Sequence, residues 1–114
     1  MSKNNIISQQ KVKNYFNSIE SRLGYAYLLK GRKHFGYYPK GQENISIIEA
    51  QENMEDILAK KLSLKSESLV LDAGCGEGKV AIYLAKKYKL NVTGIDLLDW
   101  AINNANKNAQ RERA

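Results

Sequence analysis

The chain has 114 residues, 43% of them hydrophobic and 26% charged, the length and balance of one small globular domain. Its net charge of +6 is concentrated at the N-terminus: residues 1–40 hold eight Lys and Arg against the single acid Glu20, whereas residues 41–114 hold ten against eleven. No apolar run approaches a membrane span, the polar start MSKNNIISQQ has no signal-peptide core, and the lone Cys75 excludes an internal disulfide and a multi-cysteine zinc site, so a cytoplasmic location is expected.

Residues 1–10 carry no periodicity and read as a frayed terminus. From about residue 11 to residue 30, Tyr15, Ile19, Leu23 and Tyr27 recur at four-residue steps, which predicts a helix with an apolar stripe, broken near Gly24. Five of the seven tyrosines and both phenylalanines fall between positions 15 and 38. A basic, aromatic arm of this kind attracts an anionic substrate, a nucleic acid or an acidic surface; a solvated helix face is the alternative. Gly36, Pro39 and Gly41 then punctuate a loop.

Ser46 and Glu49 form a capping box that opens a helix. Ile47, Ala50, Met54, Ile57, Leu58 and Leu62 are expected on its inner face, with Glu52, Glu55 and Lys60 outward. A short polar connection leads to the β-branched run Leu69-Val70-Leu71, which reads as a strand ending at Asp72 and opening into glycines at 74, 76 and 78. A helix is expected over 79–88, with Val80, Leu84 and Tyr88 inward. A second strand, 91–96, follows, and then a helix from about residue 99 to residue 110 with Leu98, Ala101, Ile102, Ala105 and Ala109 on one face.

Strand, glycine turn and helix is the place where open α/β sheets bind ligands. Spacing narrows the ligand. A dinucleotide fingerprint starting at Gly74 needs a third glycine at position 79, where Lys79 stands, and a Walker loop needs Ser or Thr after Gly78-Lys79, where Val80 stands. The stretch LVLDAGCGEG resembles motif I of the class I S-adenosylmethionine-dependent methyltransferases, and Asp96, eighteen positions after Gly78, resembles the acidic end of their second strand. A carboxylate at that strand end can accept both hydroxyls of a ribose through charge-assisted hydrogen bonds.

The resemblance implies a Rossmann-like class I methyltransferase fold, N-terminal portion only: a helical arm over residues 1–43, then β-α-β-α over residues 44–114, with an incomplete sheet. The family's sheet is larger than two strands, so a fragment, or a protomer completed by self-association, is expected. It implies S-adenosylmethionine as cofactor, held by Asp72, Gly74, Cys75, Gly76, Gly78, Asp96 and Leu97. Upstream, Tyr15-Phe-Asn and the segment from Lys33 to Gly41 resemble the arm of the small-molecule branch near the tocopherol, sterol and sugar O-methyltransferases. In those relatives the arm folds over the cofactor, which places Tyr15, Tyr37 or Tyr38 and His34 toward cofactor or acceptor, with His34 the sole histidine available as a catalytic base.

Several of these residues carry two readings. Asp72 either bonds loop amides or sits near the cofactor's amino group. Leu97 either packs on adenine or is a core leucine, and Trp100 either lines the adenine side or packs its helix. Cys75 is a small buried residue, and Glu77 suits a helix N-terminus with or without a ligand. The function expected is methyl transfer to a small-molecule acceptor. A non-catalytic cofactor- or partner-binding fragment is the alternative, followed by an RNA methyltransferase suggested by the basic arm.

Overall fold

The computed structural model describes residues 3–114, with side chains from residue 8 onward; Met1 and Ser2, part of the expected frayed terminus, lie outside the described residues. The N-terminal region is helical from Lys3, in α1 (Lys3–Asn17) and α2 (Ile19–Leu28). This corrects two expectations. Residues 3–10 are helix rather than fray, and the break falls at Ser18, while Gly24 stays inside α2. Ser18 does both jobs locally: its hydroxyl donates to the Tyr15 carbonyl at 2.7 Å and accepts the Ser21 N–H at 3.2 Å, capping the new helix.

The break also undoes the expected apolar stripe. Tyr15, Ile19, Leu23 and Tyr27 are 57–79% exposed, because the turn at Ser18 interrupts their four-residue register, and Ser21 is the buried residue of α2. The loop that follows is tied down by a residue that periodicity alone does not single out. Gln51, fully buried, donates to the carbonyls of Leu29 at 3.1 Å and His34 at 3.0 Å.

The next helix, α3 (Ile47–Lys61), starts at Ser46, whose hydroxyl accepts the Glu49 N–H at 3.1 Å as the capping box requires. Its buried residues are Ala50, Gln51, Glu55 and Ala59, whereas Met54, Leu58 and Leu62 of the expected inner face are exposed. Polar partners from the preceding loop draw Gln51 and Glu55 inward and rotate the apolar residues out.

The Rossmann-like half is as expected. β1 (Leu69–Ala73) pairs in parallel with β2 (Asn91–Ile95), Leu69 facing Asn91 and Ala73 facing Ile95, with α4 (Lys79–Tyr88) between them in sequence and α5 (Asp99–Glu112) after. Ala59, Leu84 and Leu90 form the core, with Val70, Val80, Tyr88 and Val92 packed against it. Leu98 and Ala101 are buried, and Ile102, Ala105 and Ala109 are half-buried, as the pattern required. One side of the sheet is uncovered: Leu69 is 86% and Leu71 63% exposed, since two parallel strands present more apolar surface than these helices cover.

A polar tie fastens α3 to α4. Asp56 accepts from Tyr83 at 3.0 Å, Tyr88 at 2.7 Å and Lys87 at 2.7 Å. Burial pushes its carboxyl up, but Lys87 and the two phenols outweigh that and hold it below the usual carboxylate range. The Tyr88 phenol is correspondingly pushed up to about 12 by burial and by Asp56. No helix among the described residues is long and apolar enough to cross a membrane.

Candidate functional site

The site grows from the end of β1. Gly74, Gly76 and Gly78 adopt φ of +87°, +54° and +77°, a region that disfavours any side chain. The turn they make is fastened to the end of β2: the N–H groups of Gly74 and Cys75 both donate to the Ile95 carbonyl, at 2.8 and 2.9 Å. Asp96, the next residue, accepts the Gly76 N–H at 2.8 Å on Oδ2 and the Leu98 N–H at 3.0 Å on Oδ1. Its carboxylate therefore locks the glycine turn and the start of α5 together. Each oxygen has taken one donor and retains a lone pair for another.

Above this junction lies a cavity of about 420 Å³, walled by Gly74, Asp96, Leu97 and Leu98 from the sheet end and by Val12, Phe16 and Lys33 from the arm. A Cβ built on Gly74 meets nothing within 4 Å, so the missing side chain leaves open space there. Gly74, Asp96 and Leu97 of the expected set thus share one cavity. Gly76 lies beneath Lys33, its Cβ position 3.2 Å from Nζ.

The remaining residues fall elsewhere. Gly78 and Cys75 face the α4–α5 side: a Cβ on Gly78 would lie 3.1 Å from the Ala105 Cβ, and the Cys75 Sγ fills the space left by Gly94. Burial, then Asp72 and Asp96, push the Cys75 thiol up, away from nucleophilic character. Tyr15 and Tyr37 are 57% and 45% exposed and wall neither this cavity nor its neighbour. Tyr15 packs edge-on against Phe16, and Tyr37 is held by its N–H on the Ala50 carbonyl at 2.7 Å.

His34 sits in a buried polar knot. Glu55, 2% exposed, accepts Arg32 Nε at 2.6 Å, and its Oε1 is also 2.9 Å from His34 Nε2, while His34 Nδ1 lies 2.8 Å from the Phe35 carbonyl. Both ring nitrogens lie against protein oxygens, so the ring is engaged within the chain rather than turned toward the cavity. Asp72 makes none of the expected loop-amide bonds: its Oδ2 is buried without a partner, and burial, followed by Asp96 and Glu55, raises its carboxyl above the usual range. Glu77 is occupied structurally, Oε1 accepting Asn104 Nδ2 at 2.8 Å and its carbonyl accepting Asn108 Nδ2 at 3.0 Å.

A second cavity of about 360 Å³ shares Phe16 and Lys33 with the first, and Trp100 lines this one rather than the first. Lys33, Phe16 and Val12 are wall residues that the motif reading leaves out. The available signal was the position of Lys33 next to His34-Phe35-Gly36 and of Phe16 next to Tyr15. No cluster of three or more His, Cys, Asp or Glu suited to a metal occurs among the described residues.

Residues 31–113 match the family model described as mycolic acid cyclopropane synthetase. The chain is 41% identical over 105 residues to the S-adenosyl-L-methionine-dependent Diels-Alderase iccD of Talaromyces variabilis, covering 91% of this chain and 36% of that protein. It is similar in structure to the [4+2]-cyclase SpnF, with a TM-score of 0.78 at 23% identity over 92% of this chain and 38% of the other. It is also similar to mycolic acid cyclopropane synthase CmaA1 complexed with SAH and CTAB, with a TM-score of 0.63 at 26% identity over 69% of this chain and 27% of the other. The chain spans 36–40% of the length of the first two curated relatives.

Proposed function

The chain belongs to the mycolic acid cyclopropane synthetase family, with the N-terminal portion of the class I methyltransferase fold, and on that premise we propose that it binds S-adenosylmethionine as part of an enzyme acting on a small molecule. The observation that carries this reading is the junction of the Gly74–Gly76 turn with Asp96 beneath a 420 Å³ cavity. The residues present fit the cofactor. Asp96 has lone pairs left for two ribose hydroxyls, Leu97 offers an apolar surface to adenine, Gly74 leaves room for close approach, and the orphaned Asp72 Oδ2 suits the cationic end of an amino-acid tail.

Bound there, the cofactor supplies an electrophilic methyl group on a sulfonium. The protein's own part is then to orient and to exclude water. Backbone of the glycine turn supports the cofactor from below, and Phe16 and Val12 of α1 cover it from the arm side. His34, with both nitrogens engaged, serves in this reading as an anchor of the arm through Glu55 rather than as a base.

The acceptor proposed is a small molecule, in keeping with the names of the relatives. Because one of them is a Diels-Alderase, a second reading keeps the bound cofactor but not the methyl transfer. We also assign the arm, residues 1–43, to covering the ligand and residues 44–114 to binding it, and place the protein in the cytoplasm; nucleic acid ranks last as partner because the relatives are named for small-molecule chemistry. Self-association across the uncovered sheet face is a further expectation. Amide chemical shifts test the central reading. S-adenosylhomocysteine should move Gly74, Gly76 and Leu97 while leaving the C-terminal turn of α3 unmoved, and uniform or absent shifts would contradict it.

A further inference from the structure

The second cavity lies beside the proposed cofactor cavity and has an unusual composition of walls. Three rings, Phe16, Tyr25 and Trp100, surround the Lys33 ammonium, whose Nζ is 5.1, 5.6 and 5.8 Å from their centroids. Arg22 shares the Trp100 ring with Lys33, its guanidinium carbon 4.5 Å from the centroid. Neither cation has a carboxylate within ion-pair distance among the described residues; the one acid in the cavity wall, Glu77, accepts Asn104 Nδ2 on Oε1 and leaves the two cations in excess there. The mouth is apolar, with Ile19 71% and Leu23 63% exposed.

Two unpaired cations set among aromatic faces, with greasy side chains left in solvent beside them, describe a site for a molecule of opposite charge and like polarity. We infer that this cavity is the acceptor site, and that it takes a small apolar or aromatic molecule bearing an anionic group, which Lys33 and Arg22 recognise while Ile19, Leu23 and the rings hold its body. Its volume of about 360 Å³ suits a small molecule. Lys33 and Phe16, common to both cavities, put that molecule next to the cofactor. The inference rests on the cofactor reading for the word acceptor, but the anion preference stands on the walls alone.

Position also gives two of the eight basic residues of the arm, Arg22 and Lys33, a role. Rings alone would hold a neutral hydrocarbon equally well, and cations alone would hold any anion. The combination selects molecules with both features, because a molecule whose anionic group meets Lys33 and Arg22 has the rings beside it for its apolar body. Lys33 has no competing acid to abandon when it turns toward such a ligand, so the interaction costs no existing ion pair.

The experiment uses Trp100, the single tryptophan, as the reporter at the cavity wall. The 114-residue chain is titrated with naphthalene-2-carboxylate and with its neutral carboxamide, following tryptophan emission. The carboxylate should perturb the emission saturably and bind about tenfold or more tightly than the amide. In the Lys33→Met, Arg22→Met double variant, checked for unchanged far-ultraviolet circular dichroism, the preference should fall below about twofold. Equal binding of the two probes, no saturable response, or a preference that survives the double substitution overturns the inference. Calorimetry with S-adenosylhomocysteine on the same samples separates the two ideas. Cofactor binding without an anion preference removes the acceptor site alone, whereas an anion preference without cofactor binding keeps the site and removes the cofactor reading.

Discussion

Replacing Asp96 separates its two roles. In the folded chain the carboxylate takes one backbone N–H on each oxygen, from Gly76 at 2.8 Å and Leu98 at 3.0 Å. Asp96→Ala removes both acceptors. A hydrogen bond to a charged group is worth roughly 1.5–3 kcal/mol, and because Asp96 is only half-buried the pair is discounted to about 2 kcal/mol in total. For a domain of this size that lowers the melting midpoint by on the order of 8 °C. Asp96→Asn keeps one acceptor oxygen and the shape, so its melting change should be smaller.

Both variants lose the charge that the ribose hydroxyls are proposed to meet. That loss should weaken S-adenosylhomocysteine by about 1.5–3 kcal/mol, or roughly tenfold to 150-fold. The assay is calorimetry on variants shown to be folded, with adenosine and 2′,3′-dideoxyadenosine as paired probes. Wild type should prefer adenosine, and Asp96→Asn should lose most of that preference. Folded Asp96→Asn that binds S-adenosylhomocysteine within a factor of about two of wild type would refute the ribose assignment, since a tenfold change is the least the charge should supply.

Asp72→Asn should raise the midpoint of the ligand-free chain at pH 7. The folded carboxyl is raised above its unfolded value, so its contribution favours folding fully below the ordinary carboxylate pKa and is lost as pH rises through the raised value. The gain from Asp72→Asn should therefore shrink as pH falls toward about 4, and a gain independent of pH would contradict the assignment. Glu55→Gln removes the 2.6 Å carboxylate from the buried Arg32 guanidinium and leaves it only the more exposed Glu52 at 3.8 Å, so about 2–4 kcal/mol of destabilisation is expected in urea unfolding; less than about 1 kcal/mol would mean that the Arg32–Glu55–His34 knot is not a tie. Gly36→Ala drives a Cβ to 2.5 Å from the Ala50 carbonyl carbon and 2.7 Å from the Gln51 nitrogen, both backbone, so a loss of roughly 1–3 kcal/mol is expected, and a neutral midpoint would show that the loop over α3 is free to move.

The glycine turn, both strands and the last two helices are legible in the sequence because their causes are local. Positive φ at residues 74, 76 and 78 calls for glycine whatever surrounds it, and Leu69, Val70, Leu71, Val92 and Ile95 give the parallel pair its apolar residues. The inner face of α3 is not local in this sense. Glu55 is buried because Arg32 and His34, more than twenty positions earlier, come to meet it, and no helical periodicity encodes that. The break at Ser18 was in principle readable, since Ser18-Ile-Glu-Ser opens with a capping serine and an early acid; the even spacing of Tyr15, Ile19, Leu23 and Tyr27 masks it. Within the site, Gly74, Asp96 and Leu97 follow from the motif. Lys33 does not, because its role depends on rings brought together from α1, α2 and α5.

Titration of the wild-type chain with S-adenosylhomocysteine by calorimetry at two salt concentrations tests the central claim most directly. Saturable one-to-one binding of nearly equal strength at low and high salt is the predicted result, because the proposed site holds the nucleoside by the half-buried Asp96 and the cavity walls at the two strand ends rather than by a diffuse surface field. A folded chain that binds no S-adenosylhomocysteine at either salt concentration would contradict it.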